Sequence, residues 1–153
     1  SLAFSGLVLP QGLEIVPYEG KDALKNSILL KFIIDKFKKV LVTFDLDAKS
    51  ELERTMAQVG LVEHSGFLAV GSSKPGKQCI EGLLPERVLS KVHSANTDLV
   101  MALTSADSKD RKSAKSSLKH KLLSEFKSDK TITRDDLKPF LPVFKALLHL
   151  APE

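Results

Sequence analysis

Val40-Leu41-Val42-Thr43-Phe44-Asp45-Leu46-Asp47 is the stretch on which the fold turns. Residues 40–44 are nearly continuously apolar and rich in β-branched side chains, which is how a strand buried on both faces of a parallel sheet reads. The run ends in two carboxylates separated by one apolar residue. In an extended or turning chain that spacing lets Asp45 and Asp47 face one side. In parallel α/β sheets the functional crevice lies outside the carboxyl ends of the strands, where these two acids fall.

Working outward, residues 22–37 place Ala23, Leu24, Ile28, Leu29, Phe32, Ile33 and Phe37 at helical spacing, with Asp22 in the first turn. Before them, Leu13 to Tyr18 reads as a short strand ending at Glu19-Gly20, with Pro17 marking an edge or a distorted end. After the acidic pair, Lys49 to Gly60 is helical and stops at glycine, and residues 66–70 suit another strand. Gly71 to Lys77 forms a loop near the site, with Ser72 and Ser73 within reach of a substrate. It is not a Walker loop, because Lys77 is followed by Gln78. A helix from Pro85 to about His93, a further strand at 98–103, and helices at about 112–126 and 135–150 complete the pattern. Pro139 and Pro142 predict a break in the last of these. Strands alternating with helices imply an α/β fold with a mostly parallel sheet flanked by helices, plus C-terminal helices. A single domain is expected over 1–153, with its core at about 13–126 and a helical extension at about 131–150.

The 153 residues suffice for a core without staples, and 42% hydrophobic with 27% charged residues is an ordinary globular composition. No stretch approaches the ~20 apolar residues of a membrane span, and Ser1 to Pro10 lacks the basic lead-in of a signal peptide. Cys79 is the only cysteine, which points to a reducing, cytoplasmic setting. The four histidines are dispersed without zinc-ligand spacing. A chain opening on Ser1-Leu2 is read as a fragment of a larger protein. The net charge of +4 says little by itself, but Lys and Arg concentrate between Lys109 and Lys130. Such a run is more often a solvated helix face than a nucleic-acid contact.

Glu19, Asp45 and Asp47, from two strand ends, suit a hard divalent cation, since Mg²⁺ takes oxygen ligands and is usually held by one or two carboxylates plus water and phosphate. The ordered set Tyr18-Glu19-Gly20-Lys21-Asp22, then Phe44-Asp45-Leu46-Asp47, then Ile80-Glu81-Gly82-Leu83-Leu84-Pro85, then a basic helix resembles the TOPRIM domain of topoisomerases, primases and OLD-family (overcoming lysogenization defect) nucleases. The resemblance runs from about Leu13 to Phe126. It implies a Rossmann-like TOPRIM fold and an endonuclease that cleaves or nicks DNA with one or two Mg²⁺ or Mn²⁺ ions. It implies that Glu81 joins Glu19, Asp45 and Asp47 as a metal-binding acid and that a lysine of the basic helix is catalytic. In OLD-like members a second acid often stands four residues after the first glutamate. That position is Ala23 here, with Asp22 one residue earlier as its substitute or merely a helix-start acid.

Helix geometry narrows the choice of lysine. At 100° per residue Leu118, Leu122, Phe126 and Leu123 span roughly 140°, with Lys115 and Lys119 inside that arc and Lys121 outside it. Lys119 is the favoured catalytic group, ahead of Lys115. Lys112, Lys115 and Lys121 are the expected DNA-backbone contacts, salt-sensitive and sequence-independent. DNA is the expected partner, with an ATPase domain upstream in the same protein and a homo-oligomer as further expectations, and no membrane.

Two other readings compete. Phe44-Asp45-Leu46-Asp47 also resembles the nucleophile motif of haloacid-dehalogenase-like phosphatases, with Asp45 attacking phosphate and Asp47 as acid/base. Ala48-Lys49 stands where that family usually has Gly-Thr, and Asp135-Asp136 opens a helix instead of closing a strand. The third reading is a non-catalytic TOPRIM-like module for assembly or nucleic-acid docking.

Overall fold

The computed structural model describes residues 12–18 and 20–150. Glu19, and with it the end of the expected first strand, lies outside the described residues, as do residues 1–11 and 151–153. The chain gathers into two compact units. One takes in the described residues up to Gly82 together with those from Pro139 onwards, and the other is Leu83–Lys138.

The first unit is built on the predicted β-α-β element. β1 (Val42–Asp45) leads through a 3₁₀ turn (Leu46–Ala48) into α3 (Lys49–Gln58) and returns as β2 (Phe67–Val70). The strands are parallel, with Val42 opposite Phe67 and Asp45 opposite Val70. Before them stand two helices in place of the single helix expected. α1 (Gly20–Leu24) and α2 (Ser27–Lys36) are separated at Asn26, whose side chain accepts from the Leu29 amide (3.1 Å) and so begins α2 afresh. α8 (Leu141–Leu148) packs against β2.

Side-chain alternation along the strands builds the core. Val42 and Phe44 point the same way as Phe67 and join Leu24, Leu30, Ala48, Leu52 and Met56 in one buried cluster. Phe44 and Phe67 stack with ring centroids 5.8 Å apart. Leu52 and Met56, one helical turn apart on α3, have no exposed surface at all.

Leu83–Lys138 is helical throughout its regular structure: α4 (Glu86–Ala95), α5 (Thr97–Ala102), α6 (Ser108–Ser128) and α7 (Arg134–Leu137). α4 and α5 both pack on α6 around Val88, Leu89, Val92, Leu118 and Leu122. Thr133 and Asp136 make a reciprocal capping box that starts α7. The last predicted helix breaks where its prolines suggest, with a 3₁₀ turn (Lys138–Phe140) between α7 and α8.

Three further expectations are corrected. Residues 98–103 form helix α5 and the turn after it. Leu99 and Val100 pack on the helical core while Met101 is 72% exposed, a helical pattern that a short apolar run does not distinguish from a strand. Residues 13–18 adopt no regular strand. Pro17 lacks a ladder donor, and Ile15 and Val16 are exposed. Thr43 is exposed, so β1 is covered on one face and not both. The parallel sheet among the described residues therefore has two strands, set in a mostly helical α/β chain.

Candidate functional site at the carboxyl end of the sheet

The acidic pair stands where strand polarity puts it. Asp45 is the last residue of β1 and is half-buried, and Asp47 is exposed within the 3₁₀ turn that follows. Asp45 is held in place by a distant amide, since the Ile80 N–H donates to Asp45 Oδ1 (3.2 Å). Ile80 opens the 3₁₀ turn Ile80–Leu83 that contains Glu81, so the segment of the third motif folds back onto the end of β1.

Cys79 reports on the same neighbourhood. Its thiol is pushed above the ordinary cysteine range first by burial, then by the adjoining Glu81 carboxylate, with a smaller contribution from Asp45. Glu81 Oε2 is sealed from solvent. Asp45 and Glu81 thus both act on one half-buried thiol. Tyr18 also reaches β1. Its phenol donates to the Thr43 carbonyl (2.7 Å), and its pKa is raised by burial and by the Asp45 charge.

The loop joining β2 to Glu81 is held by close backbone approaches. Gly71 has φ of +149°, and a Cβ there would lie 2.6 Å from the Gln78 carbonyl carbon. At Gly82 a Cβ would lie 2.5 Å from Lys77 Cα. Only glycine accommodates both approaches. Between these two points the Ser72 amide donates to the Lys77 carbonyl (2.8 Å) and the Lys77 amide to the Lys74 carbonyl (3.0 Å). The Ser72 hydroxyl accepts from the Lys74 amide (3.3 Å), so it works inside the loop.

The remaining predicted residues are placed as follows. Asp22 pairs with Lys25 (3.1 Å), which also reaches Glu51 (3.0 Å), tying α1 to α3. Lys119 is half-buried on α6, while Lys112, Lys115 and Lys121 are exposed. The buried stripe of α6 is Ala114, Leu118 and Leu122. Leu123 is 49% exposed, so the apolar arc ends at Phe126 and is narrower than the sequence suggested, with Lys119 just beyond it and Lys115 within it by angle but exposed. Arg111 turns back to the Ser105 and Ala106 carbonyls (2.6 and 2.8 Å) and secures the entry to α6.

Among the described residues no three His, Cys, Asp or Glu side chains gather as a metal-holding group. The donors at the end of β1 are nonetheless all carboxylate oxygens, the ligands Mg²⁺ and Mn²⁺ prefer, and one or two protein carboxylates suffice when water and substrate phosphate complete the shell. The Ile80 amide and the glycine-bounded loop carry no signature in a side-chain motif, whereas Gly71 and Gly82 flanking the loop were the signal available. Comparison of the chain with family models, curated proteins and solved structures finds no match.

Proposed function

We propose that this chain is a TOPRIM-type, OLD-like nuclease domain that cleaves or nicks DNA with Mg²⁺ or Mn²⁺. The observation that supports it best is the bond from Ile80 to Asp45, which joins the Glu81 turn to the Asp-x-Asp strand end. These two motifs lie 35 residues apart.

In this reading Asp45, Asp47 and Glu81, with Glu19, hold the cation, and Asp22 is a further candidate. A bound divalent ion supplies Lewis-acid charge for phosphodiester hydrolysis. The chain's own contribution is positional. The Ile80 amide fixes one oxygen of Asp45, and the other is left for the cation. Lys119 offsets charge on the phosphate, and Lys112, Lys115 and Lys121, exposed along α6, bind the DNA backbone. An upstream ATPase domain and self-association belong to the same reading.

The test is nicking of supercoiled plasmid with Mg²⁺ or Mn²⁺, with p-nitrophenyl phosphate hydrolysis measured in parallel. Nicking that falls roughly 100-fold or more in Asp45→Ala supports the nuclease. DNA binding without nicking moves the assignment to a docking module, and phosphomonoester turnover alone moves it to the phosphatase.

A further inference from the structure

We propose that the loop of residues 71–79 grips the nucleic-acid backbone beside the acidic pair, with the Lys74 ammonium on a phosphate flanking the scissile one. This rests on the nuclease reading and names a substrate contact that its motif residues do not include.

Both ends of the loop are registered to Asp45. Val70, the last residue before it, is Asp45's partner in the parallel ladder. Ile80, the first residue after it, donates to the Asp45 carboxylate. A Cβ at Gly71 would also come within 3.0 Å of Leu46 Cβ, the residue between the two acids. The loop therefore leaves and re-enters the fold at the level of the acids. Its internal hydrogen bonds close it between Ser72 and Lys77, and Ser73, Lys74, Pro75 and Gly76 are left exposed at its tip.

Of the two lysines in the loop, Lys77 is half-buried and already engaged in a further interaction, which leaves Lys74. Two carboxylates need a compensating positive charge if a polyanion is to approach them. Lys49, next after Ala48, is bound by both oxygens of Glu63 (2.7 and 2.9 Å). Lys21, just after the Glu19-Gly20 motif, is paired with Glu51. Lys74 makes no ion pair among the described residues. A lysine held on a fixed loop with its ammonium in solvent suits phosphate as a point charge.

The experiment compares wild type, Lys74→Gln, Lys74→Arg and Lys36→Gln. Lys36 lies in the last turn of α2, which leads into the opposite, amino-terminal end of β1. Affinity for a short DNA duplex is measured across salt concentrations, and plasmid nicking is resolved into kcat and KM. Loss of one phosphate contact lowers the slope of log K against log salt by about 0.9. Lys74→Gln is expected to show that drop and a several-fold higher KM with kcat within about twofold, Lys74→Arg to keep wild-type values, and Lys36→Gln to keep the slope. A Lys74→Gln slope and KM equal to wild type, or matched by Lys36→Gln, overturns the proposal. If wild type binds duplex without nicking it, the nuclease reading fails while the slopes still decide the role of Lys74. If wild type does not bind duplex, both fail.

Discussion

The residue-scale feature that organises the site is the meeting of one backbone amide with one carboxylate. Asp45 was legible in the sequence because an acid at the end of a β-branched run has a place in any parallel sheet. Its partner was not, because every residue but proline has an N–H and nothing in Ile80 marks which one will donate. Cys79 gives this neighbourhood a chemical readout. Burial and the Glu81 carboxylate keep the thiol protonated at neutral pH, and only the thiolate is a nucleophile. Alkylation by iodoacetamide at pH 7.5, followed by mass spectrometry on this single-cysteine chain, is therefore expected to be slower than that of glutathione. The rate should climb with pH beyond the ordinary cysteine range. A rate at pH 7.5 matching glutathione would mean that Cys79 is not shielded as described.

At the scale of elements, the loop from β2 to the Glu81 turn and the joint at the end of α6 carry separate tests. Replacing Gly71 or Gly82 by alanine puts a methyl into the backbone of Gln78 or Lys77, neither of which can swing aside as a side chain would. Each substitution is expected to destabilise the chain by about 1–3 kcal/mol in urea unfolding, the usual range for overpacking. A change within about 0.5 kcal/mol would show that the loop yields and is not held as described.

At the other joint, Arg87 of α4 forms a two-pronged pair with Asp136 of α7 (2.7 and 2.8 Å) and also reaches Asp129 after α6 (3.3 Å). Arg87 and local hydrogen bonds from Thr133 hold Asp136 well below its ordinary 3.8, and Thr131 with Arg87 depresses Asp129. Because both folded pKa values are lowered, the stabilisation is complete above about pH 4 and is lost as pH falls below it. Arg87 is raised from an already high value and stays charged throughout that range. Thermal midpoints from pH 7 to pH 2 should fall more steeply in wild type than in Arg87→Met. Parallel acid limbs would remove this clamp as their cause. None of the clamp was legible in the sequence, where Asp135-Asp136 showed only as a helix start, since its partner lies 49 residues away from Asp136.

For the whole molecule, the division of apolar residues into two clusters matters more than the expected single domain suggests. The β-α-β element was legible because Val40–Phe44 and Lys49–Gly60 carry different periods. The helical nature of Leu83–Lys138 was not fully legible, because residues 98–103 are too short and too uniformly apolar for periodicity to choose. Leu52 anchors the sheet-containing cluster and Leu118 the helical one, and neither cluster includes residues of the other. If each cluster is the core of its own cooperative unit, a cavity in one should loosen that unit first. Leu52→Ala and Leu118→Ala each remove most of a buried side chain and should cost roughly 2–5 kcal/mol. Native-state hydrogen exchange is expected to show Leu52→Ala lowering protection in β1, β2 and α3 while α4 and α6 keep theirs, with the reverse for Leu118→Ala. Equal loss in both halves from either cavity would show that the two cores open together as one cooperative unit, despite having no buried residue in common.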